Sequence, residues 1–226
     1  MTFSLKEKRA VLFEMDGVLY DSMPVHSRAW CRAMAEFGYH MFPEDVYANE
    51  GCTGTYTVRY ISERENKGSV TDEEVRRIYS RKSELFASEP QPPMMPGAYE
   101  LMGKVRRSGM SILIVTGSGQ GGLIERVQRD YSGFITRDMM VTAFDVGRGK
   151  PFPDPYLKGL EKAGVDASHA VVVENAPLGI RSARSAGIDV IAVNTGPLPD
   201  EILIKEGPSL VFRSMTALSD AWTEMF

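Results

Sequence analysis

Six short apolar runs, at 10–13, 111–115, 140–144, 170–173, 190–193 and 210–212, constrain this chain more than any other feature. Each is continuous rather than alternating. Continuous runs suit strands covered on both faces, as in a parallel sheet. Helical patterns lie between most of them, at 99–108, 123–130, 154–163 and 177–186. Gly109, Gly164 and Gly187 follow three of these, where a left-handed residue closes a helix. Strand, helix, glycine, strand predicts an α/β fold: a Rossmann-like, doubly wound parallel sheet.

One connection is too long for a single crossover. About 95 residues separate the first run from the second, where one helix would suffice. The intervening stretch reads as helices at 24–37, 43–50, 56–66 and 71–88, with no strong strand. Thr71 followed by Glu74 matches a capping box. Trp30 and Phe37 lie seven apart on one helix face and read as packing residues. The segment EPQPPMMP at 89–96 reads as a semi-rigid hinge. The expected organisation is a core of residues 1–22 and 91–226 with an inserted helical cap at 23–90.

Composition narrows the function. Lys and Arg number 26 against 30 Asp and Glu, a net charge of −4, which argues against a basic nucleic-acid surface. No apolar run approaches the ~20 residues of a membrane span. The N-terminal stretch interrupts every apolar segment with charge, unlike a signal peptide. Cys31 and Cys52 cannot build a disulfide framework, which favours a reducing compartment. The expectation is a soluble cytoplasmic protein, monomer or weak homodimer, with neither nucleic acid nor membrane as partner.

Four polar clusters sit at or just beyond predicted strand ends, the crevice side of an open parallel sheet. Glu14 and Asp16 follow the first strand at a spacing of two, then Gly17. Alone, they would pass for an acidic turn. Thr116, Gly117 and Ser118 follow the second, where a hydroxyl and free amides could cradle a phosphate or simply form a hydroxyl-capped turn. Lys150 opens a proline-rich loop, where an ammonium could neutralise a phosphoryl group or merely face solvent. Glu174 and Asn175 end another strand, where oxygen donors would suit Mg²⁺ or a helix cap. Four such clusters in order are not four coincidences.

The signatures MDGVLYDSMPVHSRAW, TGS, GKPFPDPY and ENAPLGI, in that order, resemble the haloacid dehalogenase (HAD) superfamily, in its β-phosphoglucomutase-like branch with a helical cap. The resemblance covers nearly the whole chain. It implies a Mg²⁺-dependent phosphohydrolase acting on a small phosphorylated substrate through an acyl-phosphate. The nucleophile position falls on Glu14, where the family has Asp. Asp16 would be general acid/base and, through its carbonyl, a metal ligand. Thr116 and Gly117, with Ser118, would bind the phosphoryl group, and Lys150 would offset its charge. Glu14, Asp16, Asn175 and Glu174 would hold the metal. His26, Glu50 and Lys82 would meet the substrate.

Glutamate carries one more methylene than aspartate, reaching roughly 1.3 Å further. Since an ångström can cost about 10²-fold in such a reaction, the turnover of this chain as written is in question. Glu50 opens the loop in which the mutases carry a phosphate-gripping arginine, a position that falls here on Gly54. Hydrolysis therefore outranks sugar-phosphate mutase action, and pyrophosphate is a candidate if Glu50 faces the metal rather than merely ending a cap helix in solvent. A non-catalytic phosphoryl-ligand binder is the third reading. The run 117–122 also satisfies G-x-G-x-x-G, with Asp138 and Asp145 near the distance of a ribose-binding acid. A dinucleotide site, however, would leave Glu14, Asp16 and Lys150 unexplained.

Overall fold

The computed structural model describes residues 3–119 and 121–226. Six strands form one parallel sheet: β1 (Ala10–Phe13), β2 (Ser111–Val115), β3 (Met140–Val141), β4 (Ala170–Glu174), β5 (Asp189–Val193) and β6 (Leu210–Phe212). Their spatial order is β3-β2-β1-β4-β5-β6, which puts the first strand in the centre. The order reverses at β1, and that is where an open α/β sheet forms its crevice.

Residues alternate strictly between the two faces, although the runs are apolar throughout. Val11, Phe13, Ile112, Ile114, Val171 and Val173 share one core cluster with α5 (Ala98–Arg107), α6 (Gly121–Asp130) and α10 (Met215–Ala221). Leu12, Leu113, Val115 and Val172 share the other with α7 (Asp154–Ala163), α8 (Pro177–Ser185) and α9 (Asp200–Ile204). On that side α7 comes close: a Cβ on Gly159 would lie 2.6 Å from Leu12 Cδ2. Gly109, Gly164 and Gly187 are all left-handed, at φ +76°, +65° and +77°, as expected of helix closers.

Residues between β1 and α5 form α1 (Met23–Glu36), α2 (Pro43–Ala48), α3 (Gly54–Arg64) and α4 (Asp72–Ser88). They surround an apolar cluster of their own, with Trp30, Met34, Val58, Ile61 and Ile78 buried in it and Phe37 packed against it. Thr71 caps α4 by accepting the Glu74 amide. The two crossings between this insert and the sheet run side by side. The Asp21 amide donates to the Pro93 carbonyl, and the Met95 amide to that of Leu19.

Two expectations need correction. The third strand ends at Val141 rather than 144, because Asp145 folds back to accept from both the amide and the hydroxyl of Thr142. That turn leaves Phe144 75% exposed. Helix α2 stops at Ala48, so Asn49 and Glu50 leave it and turn inward. The short helices α9 and α10 carry no strong apolar period and were not anticipated. Among the described residues, no helix is long and apolar enough to cross a membrane.

Candidate active site

Strand register brings the polar clusters together. Phe13 of β1 lies opposite Ile114 and Val173, so the next residues along the three central strands, Glu14, Val115 and Glu174, form a row. Lys150 lies across that row. Its ammonium contacts the Glu14 carboxylate, donates to Glu174 Oε1 at 2.7 Å and to the Val115 carbonyl at 3.2 Å. The surface lysine of the bland reading is instead 2% exposed. Burial pushes the Lys150 ammonium down, against the pull of Glu174. Such a buried cation persists only because carboxylates flank it.

Glu174 is fully enclosed. Oε1 accepts from Lys150 and from the Tyr156 hydroxyl at 3.0 Å, and Oε2 from the amides of Asn175 and Ala176 at 2.8 and 2.9 Å. Protein donors occupy both oxygens. Burial and the charge on Glu174 push the Tyr156 hydroxyl well up, so it stays a donor. Thr116 is buried beside Lys150's row, and its hydroxyl accepts the Ser118 amide, so the turn reading and the pocket reading hold together.

Asp16 points to the other side of the same pocket. Its Oδ1 accepts from the Ser22 hydroxyl at 2.6 Å and pairs with His26 Nε2 at 3.1 Å. Burial alone would raise its carboxyl, but His26, Ser22 and Lys82 hold it below the usual value. His26 is lowered, first by burial and then by the charge of Lys82, whose Nζ sits 2.8 Å from Nδ1. A neutral ring accepts from Lys82 and donates from Nε2 to Asp16. Lys82 itself is buried in α4, with the rings of Trp30, Phe86 and Tyr79 within 5.1–6.0 Å. Burial brings its ammonium down to about 8.

Gly17 marks where insert and sheet meet. It is left-handed at φ +75°, and a Cβ there would overlap the Asn175 side chain and lie 3.1 Å from Glu50 Oε1. Only glycine fits. Asn175 Nδ2 donates to Glu50 Oε1 at 2.7 Å, while Asn175 Oδ1 is buried without a partner. Glu50 is 7% exposed, which overturns the reading of it as a solvated helix end. Burial, reinforced by the charges of Glu174 and Asp16, holds its carboxyl well above the usual range against the Asn175 hydrogen bond.

Glu14, Asp16, His26, Glu50, Lys82, Thr116, Gly117 and Ser118 line one cavity of about 70 Å³. Lys150 joins them through Glu14, and Asn175 through Glu50. Trp30, Tyr79, Met23 and Met41 line it too; the sequence marks Trp30 only as helix packing and singles out none of the other three. Ser22, in the first signature, and Tyr156, in the third, carried no role there. Gln120 of the glycine-rich run lies outside the described residues, and Asp145 is engaged by Thr142.

The donor set fits a hard divalent cation. Asn175 Oδ1 is an orphaned buried acceptor, and the oxygens of Asp16, Glu14 and Glu50 line the adjoining cavity. Among the described residues, no three His, Cys, Asp or Glu form a ready cage. Mg²⁺ asks for less: one or two carboxylates, with waters and phosphate oxygens supplying the rest.

A model of the haloacid dehalogenase-like hydrolases matches residues 11–193, and the chain belongs to that family. Within it, the chain falls in the β-phosphoglucomutase-like phosphatase branch. It is 32% identical over 188 residues to hexitol phosphatase A of Escherichia coli (strain K12), covering 82% of this chain and 83% of the relative. It is 31% identical over 191 residues to a phosphorylated carbohydrates phosphatase of Thermotoga maritima, covering 80% of this chain and 83% of that one. A solved structure described as a putative beta-phosphoglucomutase from Bacteroides vulgatus superposes with TM-score 0.93 at 44% identity, covering 96% of this chain and 88% of the other.

Proposed function

We propose that the chain is a Mg²⁺-dependent phosphohydrolase of small phosphorylated metabolites, with residues 23–90 as a cap that closes over the site. The observation that carries the reading is the convergence on one cavity of Glu14, Asp16 and Thr116 from the sheet with His26, Glu50 and Lys82 from the insert. Asp16, Asn175 and Glu14 would hold the metal, which would supply charge neutralisation at the phosphoryl oxygens. Glu174, whose oxygens are taken by four protein donors, supports the site from behind.

Glu14 occupies the nucleophile position. Its carboxylate oxygen attacks phosphorus, the bond to the leaving oxygen breaks, and an acyl-phosphate forms. Asp16, ionised at rest, relays to the leaving oxygen a proton that reaches it from Lys82 through His26, and then takes one from the water that attacks the acyl-phosphate and returns it along the same chain. His26 and Ser22 hold the Asp16 carboxyl in place for both transfers. The Thr116 hydroxyl and Gly117 amide orient the phosphoryl group, and Lys150 offsets its charge. Lys82, in its aromatic cage, faces the leaving group. The test is phosphate release from sugar phosphates, nucleotides and pyrophosphate, with Mg²⁺ and with chelator, by this chain and by Glu14→Asp. Metal-independent release, or none from either form, defeats the reading.

Glu50 supports a second reading within this class, pyrophosphate hydrolysis. Its carboxyl lies on Asn175, beside the oxygens that would hold the metal, as that reading requires. The relatives named for carbohydrate phosphates favour the first, and the same screen separates the two.

A further inference from the structure

Tyr156 ends the GKPFPDPY signature and takes no part in the reaction above. We propose that Tyr156 is a positioning residue: by tying down Glu174, its hydroxyl keeps the Lys150 ammonium at the carboxylate of residue 14. The catalytic consequence rests on the phosphatase reading; the placement of Lys150 does not.

Tyr156 lies in the first turn of α7, fully buried in the cluster that includes Leu12, Val115 and Val172. Packing there needs only a ring. A hydroxyl buried in such surroundings is costly unless it is bonded, so the bond it makes is the informative feature. It donates to Glu174 Oε1 at 3.0 Å, the oxygen that also accepts from Lys150. The face of the same ring lies 5.0 Å from Lys150 Nζ, so one side chain touches both partners.

The rest of the carboxylate is held as firmly. Oε2 is fixed by two backbone amides, and a Cβ on Gly179 would overlap Oε1 and Cδ, so α8 walls off that side. Glu174 therefore has one way to relax, through Oε1. Two donors share that oxygen. With the Tyr156 hydroxyl in place, Glu174 satisfies part of its charge without Lys150, and the ammonium extends to Glu14 and the Val115 carbonyl. Without it, Glu174 has Lys150 as its sole partner on Oε1 and draws the ammonium back from residue 14.

The experiment is Tyr156→Phe in the full chain, which keeps the ring and its packing. Three quantities are read: the melting temperature, the position of Lys150 in a crystal structure, and binding of inorganic phosphate by calorimetry in Mg²⁺ buffer, with kcat and KM wherever the chain turns over. The expected result is an unchanged melting temperature and Lys150 withdrawn toward Glu174. Phosphate affinity falls about tenfold and kcat/KM falls by a similar factor, the scale of one hydrogen bond to a charged group. Lys150 in its original place with unaltered phosphate binding overturns the proposal. A parent chain that neither binds phosphate nor turns over defeats the phosphatase reading, while the displacement of Lys150 still decides on Tyr156. Proton exchange in the unaltered chain needs no variant: the Tyr156 hydroxyl proton is expected to be protected, and fast exchange overturns the proposal as well.

Discussion

The floor and the roof of the cavity are built by different means. The floor consists of residues at or just past the ends of three adjacent strands, with Lys150 reaching across them from its proline-rich loop, and backbone groups fix it: Glu174 by two amides, Thr116 by the Ser118 amide, Lys150 by the Val115 carbonyl. The roof consists of side chains on helices. His26 stacks on Phe86 with ring centroids 4.3 Å apart, and Lys82 sits among three aromatic rings. A floor held by register and backbone shifts only when one of its own hydrogen bonds is removed, whereas a roof of packed side chains can repack. Under the proposed function, the chemistry falls to the floor and the choice of substrate to the roof.

The largest effect expected of this contrast is at Lys150. Lys150→Met leaves Glu14 and Glu174 buried without a cation and removes the charge facing the phosphoryl group. A loss of roughly 10³-fold in kcat and a lower melting temperature are expected. A loss under tenfold, measured by steady-state kinetics, would break the distinction between floor and roof. Next is Glu14→Asp. The shorter carboxylate withdraws from Lys150 and leaves room for the phosphoryl group, so Mg²⁺-dependent phosphatase activity should rise by about 10²-fold. Equal activity of the two forms would mean that reach at position 14 is irrelevant.

A roof substitution should shift KM rather than kcat. Lys82 sheds its proton as pH passes about 8, so KM for an anionic substrate should climb above that pH, and Lys82→Arg should move the climb to higher pH. Stability should run the opposite way. The unfolded chain keeps this proton up to about 10.5, so between 8 and 10.5 it binds more protons than the folded chain, and stability rises with pH across that window. Titrated melting curves and a pH–KM profile check the two signs. The smallest effect is at Phe144, exposed on the turn after β3. Phe144→Ser should change stability by under about 0.5 kcal/mol in urea unfolding.

The same contrast explains what was legible in the sequence. Glu14, Thr116, Lys150 and Asn175 stand out because each adjoins a continuous apolar strand or a proline-rich loop, so position in the chain predicts position in space. Trp30 and Tyr79 do not, because a helix residue that packs inside the insert and one that lines the cavity obey the same spacing; Trp30 does both. Glu50 reads equally as facing solvent or metal, since nothing local reveals that α2 ends two residues early. Tyr156 is hidden inside a signature whose lysine and prolines carry the local signal. The third strand was overextended because the Thr142–Asp145 turn carries the same apolar residues as a strand.

Placing the first strand at the centre of the sheet has a cost during synthesis. Strand β1 leaves the ribosome first, yet its neighbours are β2 and β4, whose residues follow roughly 100 and 160 positions later. At about 5–20 residues per second, the nascent strand waits from roughly 5 to 20 seconds for its first partner. In that interval the four helices that follow are complete and can gather around their own apolar cluster. Translation order thus delivers the helical insert before β2 and β4 exist, and a chain stalled before residue 111 would carry an assembled insert beside an unpaired apolar strand that already bears Glu14 and Asp16.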